Sequence, residues 1–292
     1  MTAFCYAATV LIWGTTWIAI KNQLGIVAPD VSIVYRFVLA GLVLLAVLRL
    51  TGRFKPVPLR QQPFVVLQAL CLFSCNFACF YAATRYVASG VVSVVFSAAT
   101  IFNIANAFLF HRRRPAPRIL AGAVIGLAGI VCLFWETITG TSLSGETALG
   151  LSLALLGTWF FSAGNLVSAR NQRHGLAVAS VNAYGMLYGA GLVATFAVLR
   201  GVPFRFDPSP AYVGSLLYLA LPGSVIGFTT YLTVVHRLGP EKASYMTVLF
   251  PAVALTLSIV FEGYRLTPLA AIGFAAVLVG NLVVFAPRIA SA

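Results

Sequence analysis

Apolar residues run along this chain in ten blocks of about 20, parted by short polar breaks, and such blocks are too long and too uniform for the helices of a soluble core. Hydrocarbon offers a bare peptide group no hydrogen-bond partner, so each block must satisfy its backbone internally and cross as a helix. The predicted spans are 3–22, 31–50, 62–84, 87–110, 117–135, 147–169, 177–199, 211–235, 241–261 and 267–286. Turn-forming residues punctuate the breaks, as in Ala28-Pro29-Asp30, Pro56-Val57-Pro58, Pro115-Ala116-Pro117, Pro208-Ser209-Pro210 and Gly239-Pro240. The expected fold class is an all-α membrane protein with ten transmembrane helices.

The two halves of the pattern repeat. Phe110 through Pro117 aligns with Phe261 through Pro268, and the same shift of 151 sets Gly122 opposite Gly273 and Gly129 opposite Gly280. Trp13 matches Trp159 at a slightly different shift. The expected units are residues 1–138 and 139–292, five spans each. Because five is odd, the second copy must enter the membrane from the opposite side, which makes the repeats inverted. Many secondary transporters build one midplane site with two gates from inverted repeats, so transport is the leading function, with a receptor or scaffold as the alternative for a duplicated bundle.

Composition leaves little for anything else. The chain is 60% hydrophobic and 9% charged, against roughly 25% charged residues in an average soluble domain. A net charge of +13 would suggest nucleic acid in a soluble protein, but here placement decides its meaning. With the N-terminus in the cytoplasm, the cytoplasmic connections and tail hold Arg49, Arg53, Lys55, Arg60, Arg112, Arg113, Arg114, Arg118, Arg170, Arg173, Arg237, Lys242 and Arg288. Asp30, Glu136, Glu146, Asp207 and Glu262 fall on the opposite side. This bias puts both termini in the cytoplasm. No basic run interleaves with stacking aromatics, so the expected partners are the lipid bilayer and a small solute, with no nucleic acid, in a monomer or homodimer. The first span lacks a basic leader and a cleavage site and reads as a mature helix. Cys71, Cys75 and Cys79 share a helix face and read as packing, so no metal site, disulfide or cofactor is expected. Nothing has the spacing of a catalytic constellation, and no enzyme activity is expected.

Several side chains could carry solute recognition. Trp13 and Trp17 share a face near mid-span, with Trp159 at the matching depth in the second repeat. Two readings fit them: lipid-facing or packing rings, or rings walling a central cavity. Polar groups inside spans are costly unless partnered or wet. Asn76 with Phe80, Trp159 with Ser162 and Asn165, and Ser224 with Phe228 make mixed faces suited to an amphiphilic zwitterion, and Tyr81 and Ser244 complete the substrate-binding set. Asn103 and Asn106 read as interhelical bonds. Arg36 is the one charge well inside a span, where leaving it in lipid would cost at least about 2.5 to 3.5 kcal/mol. It either bonds neighbouring helices structurally or captures a substrate carboxylate. Pro222-Gly223 and Pro251 predict kinks or gating hinges. No Asp or Glu stands at mid-span to bind a driving ion, which points to a facilitator or weakly coupled exporter.

Leu11-Ile12-Trp13-Gly14-Thr15-Thr16-Trp17 with Lys21, Tyr35-Arg36-Phe37, the run Tyr81 through Ser89, and Phe261 through Pro268 together resemble the EamA branch of the drug/metabolite transporter superfamily. The likeness covers the whole chain. It implies a ten-helix carrier of the bacterial inner membrane, usually an exporter of amino acids or other small metabolites; aromatic amino acid exporters of the YddG type are similar in size. On that basis aromatic or other hydrophobic amino acids are the first expected substrates, and multidrug or other metabolite export the alternative. The chain departs from the pattern at His111, which stands where the first repeat commonly has an acid, so Glu262 has no acidic counterpart.

Overall fold

The computed structural model describes residues 2–111, 117–133, 135, 145–231, 234, 237 and 246–285. Helices fall at every predicted span: α1 (Thr2–Asn22), α2 (Pro29–Leu50), α3 (Leu59–Tyr86), α4 (Ser89–Phe110), α5 (Pro117–Leu133), α6 (Gly145–Arg173), α7 (Val178–Leu199), α8 (Pro210–Tyr231), α9 (Met246–Phe261) and α10 (Pro268–Phe285). Seven are long and apolar enough to cross a membrane by length and composition; α5, α9 and α10 are shorter apolar helices. Among the described residues no strand occurs. The expected boundary between the two units, at 138, lies outside the described residues.

Helix pairing follows the duplication. The α5–α10 pair packs glycine on glycine: a Cβ on Gly280 would stand 2.6 Å from the Gly122 carbonyl oxygen, and one on Gly129 2.6 Å from that of Gly273. As α5 advances from 122 to 129, α10 retreats from 280 to 273, so the two run antiparallel. Both contacts are also images of each other under the shift of 151 read from the sequence. The α2–α7 pair is antiparallel too, with Asp30 ion-paired to Arg200 at 3.4 Å, Gly41 against Leu187, and the Lys55 N–H, just beyond α2, donating to Ser180 at 2.9 Å. In α4–α9, Ser89 meets Glu262, Gly90 meets Ser258, and Phe96 meets Phe250. Three pairs of repeat-equivalent helices thus oppose each other in direction, as an inverted duplication requires. Several other contacts come in matched couples: α1 on α9 with α6 on α4, α3 on α6 with α8 on α1, and α2 on α8 with α7 on α3.

Small residues make this approach possible where no hydrophobic drive exists between helices. Gly150, Gly157 and Gly164, seven apart on α6, lie against Tyr86, Phe80 and Leu72 of α3. A side chain at any of the three would overlap the partner helix.

Two helices carry a π-helical stretch, Leu70–Cys75 in α3 and Leu219–Ile226 in α8. Each contains a buried serine whose hydroxyl donates five residues back: Ser74 to Ala69 O at 3.2 Å, Ser224 to Leu219 O at 2.9 Å. The serines are repeat-equivalent, 150 apart. The expected kink at Pro222-Gly223 sits in the second stretch, where proline withdraws a donor and the wider turn absorbs the mismatch. Its partner in α3 has no proline, and no helix breaker marks it in the sequence. Pro251 lies inside α9, buried, without a comparable stretch.

Candidate functional site

A chamber of about 80 Å³ lies among α1, α2, α3, α4, α6, α8 and α9. On α1 the spacing i, i+3, i+4, i+7 turns Trp13, Thr16, Trp17 and Ile20 to it along one helix face. Leu72, Asn76, Phe77 and Phe80 face it from α3, immediately around and after the π stretch, whose extra residue rephases the helix. Phe96, Phe161, Phe228 and Phe250 close it from α4, α6, α8 and α9. The helices α5, α7 and α10 contribute nothing to the lining.

Trp17–Phe80, Phe96–Phe161 and Trp13–Phe228 pack edge to face, the arrangement their quadrupoles favour, while Trp17–Phe96 and Trp13–Tyr231 are tilted. Trp17 meets Phe80 at 5.2 Å and Phe96 at 5.7 Å between centroids, and Phe96 meets Phe161 at 4.6 Å. Trp13 stacks near Tyr231 at 5.1 Å and meets Phe228 at 5.4 Å. Its indole N–H donates to the Gly223 carbonyl at 3.1 Å, so the π stretch of α8 is tied to the chamber wall. That bond exists because Gly227, one turn on, has no side chain; a Cβ there would overlap the Trp13 Nε1 atom. Ligand sites of drug-sized molecules occupy roughly 300–1,000 Å³, so this chamber must widen before it holds a large solute.

Arg36 is 3% exposed. Its Nε–H donates to Ser224 at 3.3 Å, and its guanidinium carbon lies 4.6 Å from the Phe77 ring centroid and 5.1 Å from that of Phe37. Cation–π contacts of this kind are worth about 2 kcal/mol when desolvated. Tyr81, fully buried, stands behind the lining and donates its hydroxyl to Gln23 Oε1 at 2.6 Å. Asn76 is 2% exposed and borders the chamber.

Of the residues singled out from sequence, Trp13, Trp17, Arg36, Asn76, Phe80, Gly223 and Phe228 come together here. Tyr81 stands one layer out. Trp159 is 40% exposed, touches Phe160, and faces away from the chamber. Two residues are about 200° of helix, so with Phe161 turned inward Trp159 must point out. Ser162 is buried as the acceptor of a 2.8 Å bond from Asn106, the interhelical role expected for that asparagine. Asn165 and Pro251 are absent from the lining, as is Pro222 beside Gly223. Ser244 lies outside the described residues. Phe77, Phe96, Phe161 and Phe250 were not foreseen, because a phenylalanine in an apolar span carries no mark of which way it faces. Thr16 and Ile20 could have been found by extending the Trp13–Trp17 face by one turn.

At the α4–α9 junction Glu262 receives the Ser89 N–H at 2.8 Å and the Ser258 hydroxyl at 2.5 Å, capping the first turn of α4 from α9. Its other oxygen, Oε1, is buried and unpartnered among the described residues.

Residues 1–135 and 148–286 each match the EamA-like transporter family. The chain is 30% identical over 279 residues to the uncharacterized inner membrane transporter YedA of Escherichia coli (strain K12), covering 93% of this chain and 88% of that protein. It is 24% identical over 289 residues to a probable amino-acid metabolite efflux pump of the same strain, covering 93% and 90%. A solved crystal structure of a protein 21% identical superposes with a TM-score of 0.69 over 97% of this chain and 95% of its own, a likeness of fold.

Proposed function

The chain belongs to the EamA-like transporter family, a multi-pass membrane protein among membrane transporters, and from that premise we propose that it exports small amphiphilic metabolites, aromatic or other hydrophobic amino acids first, by alternating access through the α1–α4, α6, α8 and α9 chamber. The observation that carries this reading is a chamber walled by Trp13, Trp17 and six phenylalanine rings drawn from both repeats, with Arg36 and Asn76 among its polar groups. Stacked rings suit an apolar side chain, and two polar groups suit a small charged head. The efflux-pump name of one relative points the same way. The antiparallel equivalent helices supply two alternative packings of one bundle around one chamber, the physical basis of gates that open in turn. Both termini lie in the cytoplasm in this proposal, following the basic connections.

Transport is taken to run down the solute gradient without tight ion coupling, since among the described residues no carboxylate borders the chamber. Glu262 favours the coupled alternative: a carboxylate with one orphan oxygen joins α9 to α4, and protonation there would weaken the charge-assisted cap on Ser89. Counterflow of labelled L-phenylalanine and L-leucine into proteoliposomes of the purified chain tests the main reading. Uptake well above empty vesicles, lost in Trp13→Ala, is expected. Absence of counterflow for every hydrophobic amino acid would end it.

A further inference from the structure

Two buried polar atoms of the chamber wall have no partner. Among the described residues, Arg36 Nη1 meets no acceptor and Asn76 Oδ1 meets no donor. They belong to adjoining parts of the wall, because the ring of Phe77, next to Asn76 in the chain, lies under the Arg36 guanidinium. A buried cation normally has a carboxylate beside it. Among the described residues the ion pair is Arg200 with Asp30, in the first turn of α2, so no carboxylate is paired with Arg36. Ser224, the Tyr81 hydroxyl and two rings engage the guanidinium. What is left over is Nη1, a charged donor suited to a carboxylate oxygen.

Resting on the reading of this chamber as the substrate site, we infer that Arg36 binds the α-carboxylate of a free amino acid while Asn76 Oδ1 accepts from its α-ammonium group. The unmatched donor and unmatched acceptor are complementary to a zwitterion, and a solute that satisfies both removes the cost of leaving them buried and bare. Selectivity then rests on the head group, and the rings tolerate a range of side chains. An ester keeps the amine and the apolar body but cannot pair with the guanidinium. A decarboxylated amine or a cationic drug, like the ester in its protonated form, adds a positive charge beside Arg36, and the amine also lacks the ester's carbonyl acceptor, so it is excluded more strongly.

The test uses the purified full-length chain in detergent and reads the ligand-dependent shift in unfolding temperature. L-Phenylalanine and L-leucine are compared with their methyl esters, with phenethylamine and isoamylamine, and with 3-phenylpropionate. Half-saturating concentrations about 10- to 100-fold lower for the amino acids than for their esters and amines are expected, the loss when a charge-assisted bond is removed. In Arg36→Gln the acid and its ester should bind alike; in Asn76→Ala the advantage of phenylalanine over 3-phenylpropionate should vanish while the penalty on esters remains. The wild-type panel decides the matter alone if either variant fails to fold. Esters or amines that bind as well as the free acids overturn the inference and leave amino acid export intact. Binding of 3-phenylpropionate but of neither amino acid ends the amino acid reading and the role of Asn76. If no carboxylate binds, both proposals fall.

Discussion

Alanine at Gly227 is a small change with a defined target. The added methyl would overlap Trp13 Nε1 and stand 3.0 Å from Trp13 Cδ1, so the indole must turn and release the Gly223 carbonyl. Overpacking of this sort costs about 1–3 kcal/mol, and the interhelical bond is worth about 0.6–1.5 kcal/mol. Against this, alanine relieves up to about 1 kcal/mol of the conformational cost of glycine in a helix. The net expectation is a loss of about 1–3 kcal/mol and a larger loss of transport, because the ring is displaced at a chamber of only about 80 Å³. Thermal unfolding in detergent and amino acid counterflow in proteoliposomes measure the two effects. Gly191→Ala is the control, since nothing lies within 4 Å of the place its methyl would take and it should be neutral or up to about 1 kcal/mol more stable. Trp13→Phe removes the atom that clashes, so the double variant Gly227→Ala/Trp13→Phe should lose less than the two single losses added together. Additive losses, or wild-type stability and transport in Gly227→Ala, would refute the claim that this glycine exists to admit the indole.

Phe161→Ala should weaken counterflow severalfold while Trp159→Ala leaves it within about twofold, because only the former faces the chamber; equal effects would reverse that assignment. Ser74→Ala and Ser224→Ala each remove the hydroxyl that bonds across its π stretch, and each is expected to cost about 0.5–1.5 kcal/mol of stability, with transport falling further than that loss explains; thermal unfolding beside counterflow separates the two. At constant voltage an imposed pH gradient should change the initial rate by less than about twofold, and strong dependence abolished in Glu262→Gln would establish the coupled alternative. Thiols placed at Arg53 and Arg118 should react only with a membrane-permeant reagent in intact cells; labelling by an impermeant one would invert the proposed topology.

The bundle was legible in the sequence because its causes are local. Ten apolar blocks had to be helices whatever their neighbours, and one shift matched the glycines of α5 to those of α10, although their packing on each other in crossed order needed the structure. Ser89, Gly90 and Glu262 show the limit: each is unremarkable in its own span, and their meeting follows only from α4 lying along α9. The chamber was half legible. Tryptophan, arginine and asparagine are rare or costly in a span and so stand out, whereas phenylalanines do not. Trp159 misled because matching depth in two repeats does not fix rotation about the helix axis, and a two-residue offset is enough to turn a ring from chamber to periphery. The π stretch of α3 left no trace, since it depends on packing and on one serine hydroxyl without a helix breaker.

The duplication copied walls without copying grip. Aromatic rings approach the chamber from both halves, but the unpartnered Arg36 Nη1 and Asn76 Oδ1 both come from the front half, while α7, the counterpart of α2, stays out of the lining. A cargo held this way has a fixed heading: its head rests on one side of the bundle and its tail lies across the other. It can be passed from one face of the membrane to the other without somersaulting, because the helices that hold the head can keep their hold while their mirror partners move.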